Sequence, residues 1–130
     1  PAGERKGGEE APELVRRIGK PHPEVYQLAF SALAAGEEGK GGKEANNAAT
    51  TTLMVGDALE TDVAGGADAG CSTLWVVETG IHGPDAREIS GGEEGDDNAM
   101  GRGAEEVLAR FNKRKGTGLS PTFVTSGFQW

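Results

Sequence analysis

The stretch LMVGDALETD, residues 53–62, makes the most specific structural prediction in this chain. It runs from an apolar segment through Gly56 to two aspartates, Asp57 and Asp62. A short apolar run that ends in a carboxylate is typical of a buried parallel strand with charge at its C-terminal end. In open α/β sheets, ligands bind at that edge. Because two carboxylates there suit a hard divalent cation, the stretch predicts a Mg2+ site.

Both aspartates also have a purely structural interpretation. Asp57 could cap the helix that follows the strand, and Asp62 could favour the positive end of the same helix. Aspartates at the turn between a strand and a helix are common. The residues of this stretch alone leave both interpretations open.

The segments around this strand predict alternating helices and strands. Some have apolar residues at helical spacing, and others are short runs of β-formers. The predicted helices are Pro23–Ala35, Asp62–Ala69 and Ala104–Lys113, and the predicted strands are Leu14–Ile18, Leu53–Gly56, Thr73–Val77 and Pro121–Val124. This order predicts a partial doubly wound, Rossmann-like parallel sheet of three to four strands with flanking helices. We expect residues 1–130 to form a single partial domain, with flexible loops at 36–50 and 85–103, where glycine and charged residues dominate.

Composition excludes several classes of partner. The net charge of −8 argues against nucleic acid and anionic membranes, because both bind basic patches. No apolar run is long enough to span a bilayer. The single Cys71 excludes an internal disulfide. Residues 1–10 contain no apolar core of a secretory signal and no initiator Met, so we expect a fragment or processed product in the cytoplasm or an organelle lumen.

A second group of residues strengthens the case for a ligand. Lys20, in GKPHP, residues 19–23, lies on a constrained loop at the N-terminus of the predicted helix Pro23–Ala35, where an anion would meet both its ammonium and free backbone N–H groups. The alternative is a surface lysine in a turn. A lysine and two acids at one sheet edge fit a phosphoryl group held by the lysine and a metal ion. His82, after the Thr73–Val77 strand, is expected at the same edge and could contact substrate.

The segments GKPHPEVYQLAF, residues 19–30, and LMVGDALETDVAGGADAGCSTLWVVETGIHG, residues 53–83, resemble the C-terminal half of a haloacid dehalogenase (HAD) superfamily hydrolase, most closely subclass IIA. The resemblance implies a Mg2+-dependent phosphatase that acts on a small phosphorylated metabolite through an aspartyl-phosphate. It implies that Lys20 is catalytic, neutralising the phosphate and the nucleophile, and that Asp57 binds Mg2+ directly. Asp62 would bind the metal directly or through water, or anchor the loop, and Gly56 would let the backbone turn.

The chain departs from the HAD pattern in one respect. The family's nucleophile stands in an Asp-x-Asp motif after the first strand, and no such motif follows an apolar strand in these 130 residues. We therefore expect the nucleophile and the cap domain to lie outside this chain, in a missing N-terminal half. We expect the chain alone to be inactive. Its protein partner would be that N-terminal half or a second copy of the chain in a homo-oligomer. The alternatives are a non-catalytic HAD-derived module that binds Mg2+ or phosphate, and a truncated gene fragment.

Overall fold

The part of the chain that the computed structural model describes, residues 18–35, 48–91 and 96–127, is built on a three-stranded parallel sheet. The strands lie in the order β1 (Leu53–Gly56), β2 (Ser72–Val76) and β3 (Phe123–Thr125). Gly56 pairs with Trp75, so β1 and β2 end side by side. The predicted α/β class is confirmed, and β1 has the bounds that the sequence predicts.

Helices precede and connect the strands. They are α1 (Pro23–Ala35), α2 (Ala64–Asp68), α3 (Gly83–Ser90) and α4 (Asp97–Lys115). The first has the predicted bounds. The helix predicted from Asp62 begins earlier, as a single π-helical turn at Leu59–Val63 that continues into α2. A short 3-10 turn, Ala49–Thr51, precedes β1.

The loop predicted at 85–103 is wrong for most of its length, because α3 and the first part of α4 occupy residues 85–90 and 97–103; residues 92–95 lie outside the described residues. Glycines disfavour a helix here, but tertiary packing outweighs that preference. The Asp96 side chain caps α4 by accepting a hydrogen bond from the Ala99 N–H at 3.0 Å. Gly103 lies against the carbonyl oxygen of Ala86, so the two helices pack closely. The burial of α3 against α4 stabilises the helical conformation, and a short stretch of sequence does not reveal this packing.

Two other predicted segments are described only in part. Residues 14–17 of the predicted first strand lie outside the described residues, and Ile18 is not in a strand. Residues 36–47 of the predicted 36–50 loop also lie outside them, whereas residues 48–50 form a turn and the start of the 3-10 turn. In the described residues, the sheet therefore has three strands rather than four.

One face of the sheet carries the core. Trp75 of β2 and Val77, just after β2, are fully buried, and they pack with the buried residues Leu59, Val63 and Phe111 from the surrounding helical segments. Gly66 of α2 approaches Met54 on this same face. The core therefore lies directly beneath the C-terminal ends of β1 and β2, the edge at which the sequence places its candidate ligand-binding residues.

Much of the opposite face of the sheet is exposed, although Val76 on that face is buried. Leu53, Val55 and Phe123 are 45%, 42% and 56% exposed. Val55 pairs with Leu74, and Leu74 pairs with Phe123, so these apolar side chains form a row across all three strands. Parallel sheets are ordinarily covered by helices on both faces. Within the described residues, this second face is covered only in part.

Candidate functional site

The structure brings Lys20 and Asp62 together. They are 42 positions apart in the chain, yet the Lys20 ammonium donates to Oδ1 of Asp62 and forms an ion pair with it. Asp62 is only 3% exposed, and its other oxygen, Oδ2, accepts a hydrogen bond from the Ala58 N–H at 3.1 Å. Both carboxylate oxygens of Asp62 therefore have protein partners. This arrangement fits the interpretation of Asp62 as an anchor of the loop more closely than that of a direct metal ligand.

Gly56 makes room for this carboxylate. A Cβ atom at position 56 would overlap Oδ2, Cγ and Cβ of Asp62. The side chain of Asp62 thus folds over the last residue of β1, which is why it can reach both Ala58 and Lys20. The sequence predicts Gly56 as a residue that shapes the turn, and the structure gives this prediction a specific steric reason.

Asp57, the first residue after β1, is held by the segment that follows β2. Its Oδ2 accepts a hydrogen bond from the Ile81 N–H at 2.9 Å, and its carbonyl oxygen accepts one from the indole of Trp75 at 3.1 Å. Gly80 lies directly against its Cβ atom. Among the described residues, Oδ1 of Asp57 has no hydrogen-bond partner. One oxygen of a firmly positioned carboxylate is therefore available to a ligand.

Lys20 lies on a turn that leads into α1. Gly19 has a φ of 133°, which favours glycine, and its carbonyl oxygen accepts a hydrogen bond from the His22 N–H at 2.8 Å. The Lys20–Pro21 peptide bond is cis. The Lys20 side chain is 47% exposed. Its ammonium therefore stabilises Asp62 while remaining open to an anion from solvent.

Tyr26 fixes this turn against the loop after β1. Its hydroxyl donates to the carbonyl oxygen of Thr61 at 3.1 Å. Gly65 allows the close approach, because a Cβ there would overlap the Tyr26 hydroxyl and meet Pro21. Burial and the nearby Asp62 carboxylate raise the pKa of the Tyr26 hydroxyl above its ordinary value. Sequence reasoning assigned Tyr26 no role; its position three residues into an amphipathic helix is also that of an ordinary core residue.

His82 lies close to the same edge, but its ring contacts the core. It packs edge-on against Trp75, with ring centroids 5.7 Å apart, and its Nε2 accepts a long hydrogen bond, 3.5 Å, from the Leu59 N–H. Burial lowers the pKa of His82, an effect that Asp85 and Asp57 oppose in part. The geometry favours a role in holding the Leu59 turn in place, and contact between His82 and substrate stays a prediction.

The residues at this edge fit Mg2+ as a partial ligand set. No group of three or more histidine, cysteine or acidic side chains that could hold a metal occurs within residues 18–35, 48–91 and 96–127. Mg2+ commonly keeps several waters and takes only one or two carboxylates together with substrate phosphate oxygens. Asp57, with its available Oδ1, could supply one such ligand. Asp62 could contribute to metal binding only indirectly, by holding the Lys20 ammonium and the Ala58 amide in place.

The fold and this edge define an α/β protein with a lysine and two carboxylates beside the ends of parallel strands. The chain belongs to the HAD-hydrolase-like family, whose model matches residues 17–97. Comparisons with curated proteins and with solved structures found no match. The superfamily that the sequence resembles is therefore confirmed. Among the described helices, none has the length and apolar character needed to cross a bilayer.

Proposed function

We propose that this chain forms the metal- and phosphate-binding part of a Mg2+-dependent phosphoric monoester hydrolase of the HAD type, related to subclass IIA. The observation that carries the proposal is the Lys20–Asp62 ion pair at the end of β1, together with the available oxygen of Asp57, the first residue after that strand. Mg2+, when bound, would neutralise charge on a transferring phosphoryl group. Asp57 would hold the metal, and the exposed side of the Lys20 ammonium would bind a phosphate oxygen.

Asp62 acts on Lys20 in this proposal. A carboxylate that is almost fully buried cannot follow a mobile lysine, so the ion pair confines the ammonium to one region of the sheet edge. Positioning of charge before the reaction is a large part of phosphoryl-transfer catalysis. Lys20 is thus oriented for its anion before that anion arrives. The substrate class we propose is a small phosphorylated metabolite.

The nucleophile and cap, in this proposal, come from polypeptide outside these 130 residues. The open edge of β1 and the exposed row of Leu53, Val55 and Phe123 support this part. A further parallel strand beside β1 would end next to Asp57, which is where a nucleophilic aspartate is required. Helices attached to that strand would cover the exposed face. This additional polypeptide would be an N-terminal half of the same protein.

Three measurements test the proposal. The transcript should be sequenced 5′ of the codon for Pro1, and we expect an Asp-x-Asp motif after an apolar strand. The 130-residue chain should then be titrated with Mg2+ by calorimetry and assayed with p-nitrophenyl phosphate. We expect saturable Mg2+ binding that Asp57→Asn removes, and no hydrolysis by the chain alone. An upstream reading frame that lacks the motif would contradict the hydrolase.

The second candidate is a non-catalytic module that binds Mg2+ or phosphate. The absence of a three-carboxylate cluster among the described residues and the full engagement of Asp62 favour it. It predicts Mg2+ binding with no hydrolysis even when the complete reading frame is expressed. Robust turnover by that product, abolished by Asp57→Asn, would exclude the module. A truncated gene fragment, the third alternative, predicts neither Mg2+ binding nor a cooperative melting transition.

A further inference from the structure

A groove lies between α3 and α4, and His82, which lies close to the candidate-site edge, is among its lining residues. Its volume is about 530 Å³, within the range of small-molecule pockets. None of the three proposed site residues, Lys20, Asp57 and Asp62, lines it. Gly103 lets the two helices touch at Ala86, and the groove occupies the space between other parts of the same helices. It is therefore a separate concavity formed by the most extensively packed pair of helices.

The lining of the groove combines three kinds of surface. Val107, Phe111 and Ile89 supply apolar side chains, of which the first two are buried parts of the core. The α3 wall carries the acidic residues Asp85 and Glu88. The α4 wall carries the basic residues Arg110 and Arg114. Opposite charges thus lie on opposite sides of an apolar surface.

The charges of the two walls are not paired with each other. Among the described residues, Arg110 pairs with Glu106 on its own helix, and the Arg114 guanidinium lies 5.9 Å from the centre of the Phe111 ring. Asp85 and Glu88 form no ion pair with the described residues. The Arg110–Glu106 pair is exposed, so it is weak and can be exchanged for another anion. Both walls are therefore available to a ligand.

We propose that this groove binds a free amino acid with a large apolar side chain. The α-carboxylate would be held by Arg110 and Arg114, because guanidinium groups match carboxylates in geometry. The α-ammonium would be held by Asp85 and Glu88. The side chain would cover the apolar surface beside Phe111. This site is independent of the proposed hydrolase function, since it uses different residues and requires no metal.

Calorimetric titration with L-phenylalanine tests the three-part recognition. Phenethylamine lacks the carboxylate, 3-phenylpropionate lacks the ammonium, and L-alanine lacks the large side chain. We expect saturable binding of L-phenylalanine at millimolar concentration or tighter, and each analogue to bind at least about tenfold more weakly. Absence of saturable binding by L-phenylalanine, or equal binding of either singly charged analogue, overturns the proposal.

Matched variants locate the binding. Arg114→Gln should weaken L-phenylalanine binding about tenfold, whereas Arg102→Gln, an exposed arginine of α4 that does not line the groove, should leave it unchanged. Glu88→Gln and the exposed Glu105→Gln form a second such pair. All four positions are solvent-accessible, and unchanged thermal melting verifies that the variants fold. Equal loss in a variant and its control overturns the assignment to this groove.

Discussion

The Lys20 ammonium and the Asp62 carboxylate form an ion pair in which one partner is half exposed and the other is almost fully buried. This asymmetry has a consequence for stability. Removing the lysine leaves a buried carboxylate with only the Ala58 amide as its partner. Loss of one partner from a buried pair costs several kcal/mol, whereas exposed pairs contribute less than about 1 kcal/mol.

We expect Lys20→Met to lower the free energy of unfolding by about 1–2 kcal/mol, between these two limits. Urea denaturation monitored by circular dichroism measures this change. Lys113→Met is the control, because Lys113 is an exposed lysine near the end of α4; its effect should stay within about 0.5 kcal/mol. Equal effects of the two substitutions would show that the Lys20–Asp62 pair does not contribute.

Gly56→Ala tests whether the end of β1 was shaped to accept Asp62. The new methyl group would overlap the Asp62 carboxylate, and we expect a loss of about 1–3 kcal/mol in the free energy of unfolding. Gly118→Ala is the control, since a Cβ there meets open space. If Gly56 acts through Asp62, the losses from Gly56→Ala and Lys20→Met should not add in the double variant. Additive losses would show that Gly56 and Lys20 stabilise the protein independently of each other.

Gly101 and Gly103 provide a matched pair within α4. A Cβ at Gly101 meets open space, so Gly101→Ala should raise the free energy of unfolding by about 0.5–1 kcal/mol through helix propensity. A Cβ at Gly103 would overlap the backbone of Ala86. Gly103→Ala should therefore lower the free energy of unfolding by about 1–3 kcal/mol. Thermal and urea melts measure both changes, and two changes of the same sign would refute the close α3–α4 contact.

The lowered pKa of His82 predicts how the free energy of unfolding depends on pH. Burial lowers its pKa in the folded protein below the ordinary value of 6.5. At pH values between the folded and the unfolded pKa of His82, the unfolded state binds more protons than the folded state. The contribution of neutral His82 to the free energy of unfolding is therefore complete above about pH 6.5 and falls as the pH drops toward the folded pKa. Urea melts from pH 7.5 to 5.5 measure this slope. His82→Gln should flatten it, and an unchanged slope in that variant would contradict the prediction.

Asp57 and Asp62 should differ in Mg2+ binding. Asp57→Asn removes the carboxylate with an available oxygen, so calorimetry should detect no Mg2+ binding. Asp62→Asn acts through Lys20 and the loop, and should weaken binding by about tenfold. Asp68→Asn, an exposed aspartate of α2, serves as the control for net charge. Complete loss in Asp62→Asn with little effect of Asp57→Asn would reverse the two assignments.

The strands predicted at Leu53–Gly56 and Thr73–Val77 agree closely with β1 and β2, and α1 and the class of the fold were also predictable from sequence. These segments have short-range signals: continuous β-formers, a proline at a helix start, and apolar residues at helical spacing. The HAD resemblance also rests on local motifs, so the family followed from them. The placement of Lys20 near the aspartates likewise followed from its turn and from the rule that ligands bind at the C-terminal edge of a parallel sheet.

The different roles of the two aspartates depend on tertiary contacts. Asp57 and Asp62 are chemically alike in the sequence, yet one retains an available oxygen, while Gly56, Ala58 and Lys20 enclose the other. The helices α3 and α4 likewise depend on the contact between Gly103 and Ala86. Both outcomes result from contacts between residues far apart in the chain or on different elements. Local sequence specifies which groups are present, and packing determines which of them remain free to bind.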